Sequence, residues 1–119
     1  MPSDKNDDSN SDFNLEAYKG LFLEQARVFL ELLRSSLTSL GGNPHDIKAF
    51  QEGRRATHTL KGMSATMRYK TLSDLAAGLE RPFLSDSPIS REQLGALQAG
   101  CEEFEAALER LAADEESSA

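Results

Sequence analysis

Residues 90–111 read SREQLGALQAGCEEFEAALERL. Within them Leu94, Leu97, Cys101, Phe104, Leu108 and Leu111 recur at intervals of three and four. Those intervals place all six on one side of an α-helix, as a heptad-like seam for packing against other helices. The seam opens with Ser90-x-x-Gln93, a capping box. In such a box the hydroxyl takes a backbone N–H of the first turn, and the amide reaches back to the Ser N–H. One amphipathic helix gains most of its stability from packing its apolar face, so the rest of the chain must supply partners for this one.

Three earlier stretches have the same helical period. From about Phe13 to Leu40 the apolar positions include Tyr18, Phe22, Ala26, Phe29, Leu33, Leu37 and Leu40. Gly41-Gly42-Asn43-Pro44 ends that run, because Gly closes helix C-termini and Pro does not continue a helix. From about His45 to Thr66, Ala49, Gly53, Ala56, Leu60 and Met63 share a face with Met67 just beyond. A third helix is expected from near Thr71, where Thr71-x-x-Asp74 resembles a capping signal. Its stripe is Leu72, Leu75, Ala76, Leu79 and Phe83, with Pro82 disturbing the last turn. Ser85-Asp86-Ser87-Pro88 is a loop. No stretch alternates with period two, so no strand is expected. The expected fold is all-α, an antiparallel up-down-up-down four-helix bundle, since short loops join amphipathic helices that way.

The chain has 119 residues and a net charge of −7. That length predicts one domain. The acidic balance argues against a nucleic-acid binder, which needs a basic footprint. A single Cys rules out an intrachain disulfide, and Cys101 sits in the apolar seam as a small core residue. No apolar run approaches the roughly 20 residues of a membrane span, and no signal-peptide pattern opens the chain, so a cytoplasmic location is expected. The negative charge is concentrated at the ends. Residues 1–12 and 113–119 each carry −3, leaving 13–112 near neutral. Both ends are polar and lack apolar periodicity. They are read as disordered acidic tails, the second a tail or the start of a linker, flanking a bundle over 13–112.

The second helix is unusual on the side away from its core stripe. Each residue turns a helix by about 100°, so His58 lies roughly 200° from both Ala56 and Leu60 and points outward. Arg54, Lys61, Gly62 and Ala65 fall within about 60° of it. Gly62 stands mid-helix, where it costs about 1 kcal/mol relative to Ala. It either clears room for a bulky group or a close partner, or is incidental on an exposed face. From Gly53 to Ser73 there are five cations (Arg54, Arg55, Lys61, Arg68 and Lys70) and no acid. Such a run suits a phosphoryl group or an acidic partner surface; a solvated basic face is the plainer alternative.

Arg55-Ala56-Thr57-His58-Thr59-Leu60-Lys61-Gly62-Met63-Ser64-Ala65-Thr66-Met67 resembles the phosphorylation-site helix of histidine phosphotransfer (HPt) domains, and among them the CheA-type chemotaxis kinases. The H-x-x-K-G core alone is weak, arising by chance in on the order of one chain in a hundred. The longer match is more specific, and it continues into Tyr69, Leu72, Leu75 and Leu79. The resemblance implies a relay. His58 would be the phosphorylated nucleophile, through Nε2. It would take a phosphoryl group, ultimately from ATP, from a CheA-type kinase catalytic domain in trans, and pass it to an aspartate of a response-regulator receiver domain. Glu80 matches the family's acidic residue beside that His and would fix the tautomer through the other ring nitrogen. Lys61 would help neutralise the phosphoryl oxygens, and Gly62 would give clearance. Arg54, Gly62 and Ala65 would contribute to partner docking.

No bound cofactor is implied; Mg would come from the kinase or the receiver, and the isolated domain is expected to be a monomer. The sequence departs from the CheA branch in three places. Ala77 stands where a second His is frequent, and Arg68 where Gly is frequent. The chain also ends before the branch's fifth helix could form.

Outside this constellation little carries chemistry. His45 reads as a surface residue near a helix start. Two His and one Cys make no recognised zinc spacing, and no Glu-x-x-His pair supports a di-iron bundle. No phosphate-binding G-x-x-x-x-G-K-S/T loop occurs, so self-phosphorylation unaided is not expected. A docking module that kept this fold without phosphotransfer is the competing reading.

Overall fold

The computed structural model describes the backbone of residues 2–118 and the side chains of residues 17–114. It comprises α1 (Pro2–Gly42), α2 (Ile47–Thr66), α3 (Lys70–Glu80), a short 3₁₀ segment (Arg81–Leu84) and α4 (Arg91–Ser118). No strand occurs among the described residues. The helix α1 packs on α2 and α4, and α3 packs on the same two, so the four close into a ring around one core. This is the expected four-helix bundle. The acidic tails expected over 1–12 and 113–119 lie outside the described side chains except at Ala113 and Asp114, and the bounds of α1 and α4 run into them.

The seams meet as their spacing requires. Leu33 and Leu37 of α1, Leu60 of α2, Phe83 of the 3₁₀ segment and Phe104 and Leu108 of α4 are among the most deeply buried side chains. Two expectations shift. Tyr18 belongs to the α1 stripe by spacing, yet it is 54% exposed, because the burial on α1 follows Phe22, Leu23, Ala26 and Leu30. Pro82 does end α3, but the chain continues as a 3₁₀ turn that inserts Phe83 fully into the core. Ser36, Thr57 and Ser64 are buried hydroxyls, and each is satisfied. Ser36 Oγ donates to the Ala49 carbonyl at 2.5 Å, while Thr57 and Ser64 donate to carbonyls of their own helix.

Helix ends set the register of the site. Ser90 and Gln93 form the predicted capping box, with reciprocal bonds of 2.9 and 3.0 Å. For α2 the cap is Asp46, whose Oδ1 accepts the Ala49 N–H at 3.0 Å. The Thr71-x-x-Asp74 signal is not a cap. The helix α3 begins at Lys70 after Tyr69, with no side-chain cap, and Asp74 instead pairs with Lys70 Nζ at 3.0 Å. An N-cap pattern and an i,i+4 ion pair share the same short polar residues, so the sequence alone does not separate them.

The turn from α2 to α3 is a Schellman closure. Tyr69 N–H donates to the Ser64 carbonyl at 2.9 Å and Arg68 N–H to the Ala65 carbonyl at 3.0 Å. That closure puts its central residue in the left-handed region, usually occupied by Gly. Arg68 takes it at φ 64°, the one non-glycine residue with positive φ among those described.

Two glycines are required by close packing. A Cβ on Gly53 would lie 2.6 Å from the Phe83 ring and 2.7 Å from Ser36 Oγ. A Cβ on Gly100 of α4 would lie 2.7 Å from Leu79 Cδ2. Gly62 is different: a Cβ there would meet nothing within 4 Å.

Candidate functional site

His58 stands on the outer side of α2, one turn before Lys61 and Gly62. Its side chain is 71% exposed. Across the α2–α3 contact, Glu80 ends α3 with its side chain only 4% exposed. A carboxylate at that depth needs partners, and it has two. His58 Nδ1 lies 2.9 Å from Glu80 Oε2, and Lys61 Nζ lies 2.6 Å from Glu80 Oε1.

Burial pushes the Glu80 carboxyl up, but the hydrogen bonds from Lys61 and His58, with their charges, outweigh it and hold the carboxyl below its ordinary value. Glu80 is therefore ionised at neutral pH and can only accept hydrogen bonds. The proton between it and the ring must sit on Nδ1. In a neutral imidazole this leaves the lone pair on Nε2, the nitrogen not engaged by Glu80. The ring is thus oriented by a buried charge and has an unprotonated nitrogen available to an electrophile.

The expected cluster is assembled in part. His58 and Glu80 meet as the resemblance implied. Lys61 joins them, but its ammonium is on Glu80, a partner the helical wheel could not supply because it belongs to another helix. Arg54, Gly62 and Ala65 are exposed on the same side of α2 as His58. Of the five cations, Lys61 and Lys70 are paired, while Arg54, Arg55 and Arg68 have no acidic partner among the described residues. Ala77 leaves no second imidazole near Glu80. His45 stands apart from this cluster, its backbone N–H on Asn43 Oδ1 at 3.0 Å. Cys101 is fully enclosed, and burial raises its thiol to about 11, which leaves it unreactive. Among the described residues no group of three His, Cys, Asp or Glu is placed to hold a metal, and no helix is long and apolar enough to cross a membrane.

Spacing missed two surface features that flank this centre. Beyond Gly62, a groove of about 640 Å³ runs between α1 and α2, lined by Tyr18, Leu21, Phe22, Met63 and Met67. At the other end of α2, a groove of about 390 Å³ lies between the α1–α2 connection and the segment before α4. Each depends on which helix a residue faces, and a single-helix period does not carry that information.

Comparison with known proteins agrees with this fold. The Hpt domain family model matches residues 17–114. The chain is 36% identical over 67 residues to the chemotaxis protein CheA of Bacillus subtilis, covering 56% of this chain and 10% of that protein. It is 35% identical over 72 residues to CheA of Borreliella burgdorferi, covering 60% of this chain and 8% of that one. The chain thus spans about a tenth of the curated relatives it matches. The CheA phosphotransferase domain from Thermotoga maritima superposes with a TM-score of 0.72 at 28% identity, covering 81% of this chain and 95% of that one.

Proposed function

The chain belongs to the Hpt domain family, and on that premise we propose that it relays a phosphoryl group in CheA-type chemotaxis signalling. His58 is the phosphorylated residue. The observation that carries the reading is the bond between the exposed His58 ring and buried Glu80, which leaves Nε2 as the nucleophile.

In the first step the Nε2 lone pair attacks the γ-phosphorus of ATP held by a kinase domain supplied in trans. The N–P bond forms, the bond from phosphorus to the bridging oxygen breaks, and ADP leaves with that electron pair. The ring keeps its Nδ1 proton and gains positive charge. Glu80, 2.9 Å away and ionised, stabilises that charge where it develops. In the second step a carboxylate oxygen of a receiver aspartate attacks the same phosphorus, and the N–P pair returns to Nε2. Mg held by the kinase or the receiver would neutralise the phosphoryl oxygens. Arg54 and Arg55, without an acidic partner among the described residues, add positive charge near the transferring group, and open space over Gly62 leaves room for it.

The test is incubation with a CheA-type kinase domain and radiolabelled ATP. Wild type should acquire one acid-labile phosphohistidine, and His58→Gln none. Equal labelling of His58→Gln would overturn the site. A docking module without phosphotransfer would take no label in either form.

A further inference from the structure

The outward side of α2 continues well beyond the reacting ring. Ile47, Gln51, Arg54 and His58 are spaced by four, three and four residues, so they follow one line down the helix. Ile47 stands about 16 Å from His58 along the axis, at roughly 1.5 Å per residue. Its exposure, 72%, is the highest of any large apolar residue described. It is the first residue of α2, where Asp46 already supplies the cap, and a β-branched side chain in water there contributes nothing to the helix. Ile47 edges the 390 Å³ groove, together with Phe50, Arg54 and Asp86. Leu84, two residues before Asp86, is also apolar and 56% exposed.

We infer that this end of the His58 face is an exosite for the phosphoryl donor, the ATP-holding kinase domain. The inference deepens the phosphotransfer reading and rests on it. One argument brings a partner of His58 to this patch, and a second selects which partner. The first is reach. A standard protein interface covers about 800 Å² on each partner, a patch roughly 16 Å in radius. A partner of ordinary size centred on His58 therefore extends to Ile47, and Arg54 lies in both the centre and the groove.

The second argument is charge. Asp46 and Asp86 line this groove and outnumber its one arginine, Arg54, whereas among the described residues no acid lines the groove beyond Gly62. The receiver must present an aspartate pocket, which two acids repel. The donor must neutralise a triphosphate and so presents cations, which the same acids attract. The acid-bearing end therefore suits the donor and disfavours the acceptor.

The experiment uses the whole chain and two readouts. In a His58→Gln background, binding of the isolated kinase ATP-binding domain is titrated by calorimetry, with and without Ile47→Ser or Leu84→Ser. In a His58 background, the chain is phosphorylated with phosphoramidate, needing no kinase, and its transfer to a receiver is timed. Either Ser variant should weaken kinase binding about tenfold, the effect of losing a buried interface anchor, and change receiver transfer less than about twofold. Both positions are exposed, so unchanged melting midpoints check the fold. Unchanged kinase binding overturns the exosite, and an equal loss in receiver transfer overturns its assignment to the donor. Failure of the phosphotransfer reading is seen separately, as absence of label on wild-type His58.

Discussion

Glu80 and His58 form a pair with opposite surroundings: the carboxylate is buried, and the imidazole it holds at 2.9 Å is in solvent. The buried partner sets the proton position, and the exposed partner reacts. Glu80→Gln keeps shape and removes charge. The fold should survive, while single-turnover phosphorylation by the kinase slows by up to roughly a hundredfold, the low end of general acid–base effects. Unchanged rates would remove Glu80 from the mechanism.

Acid should loosen the bundle through the same residue. Glu80 is held below its ordinary value of 4.5 in the folded chain. A depressed carboxyl contributes stability that is complete above the unfolded value and is lost as pH falls through the folded one. The melting midpoint of wild type should therefore drop below about pH 4.5 more steeply than that of Glu80→Gln. Parallel curves for the two proteins would contradict this.

Lys61 is tied to the carboxylate rather than free in solution, at 2.6 Å. Lys61→Met should leave Glu80 with a single donor. Its carboxyl should then titrate higher than in wild type, measurable by carbon NMR of the side chain. The opposite shift would mean that Lys61 is not what holds Glu80 ionised.

Two glycines of α2, Gly53 and Gly62, should separate packing from function. Gly53→Ala places a methyl against Phe83 and Ser36 and should cost about 1–3 kcal/mol by overpacking. Gly62→Ala meets nothing within 4 Å and should stabilise by up to about 1 kcal/mol. Gly62→Leu should also fold, yet slow both phosphorylation and transfer by crowding the ring. Chemical denaturation and transfer kinetics read the two effects independently.

Arg68 occupies a glycine position in the α2–α3 closure. Arg68→Gly should raise stability by about 1 kcal/mol, because a left-handed residue bearing a Cβ costs roughly 1–2 kcal/mol. Arg68→Ala should give no such gain. Equal denaturation midpoints for wild type and Arg68→Gly would refute the strain.

Much of this was legible in the residues. The seams at three and four, the Gly41-to-Pro44 break and the Ser90–Gln93 box each depend on neighbours within one helix, and each is present in the fold. The outward direction of His58 follows from the same arithmetic. What was not legible lies between helices. The partner of Lys61, the exposure of Tyr18 and the grooves flanking α2 depend on how helices meet, and periodicity on one helix does not specify its neighbour. Thr71-x-x-Asp74 failed for a local reason, since Lys70 competes for Asp74 from one turn away.

Gly100 gives the bundle a mechanical coupling. It lies on α4, across α3 from the histidine, and its missing side chain is what admits Leu79. Leu79 is bonded directly to Glu80. A methyl at position 100 would press on Leu79 Cδ2, on the residue next to the carboxylate. The packing behind the residue that orients the imidazole is thus set from the opposite wall of the protein. Gly100→Ala should change the nitrogen NMR shifts of the His58 ring although no atom of residue 100 belongs to the reacting centre.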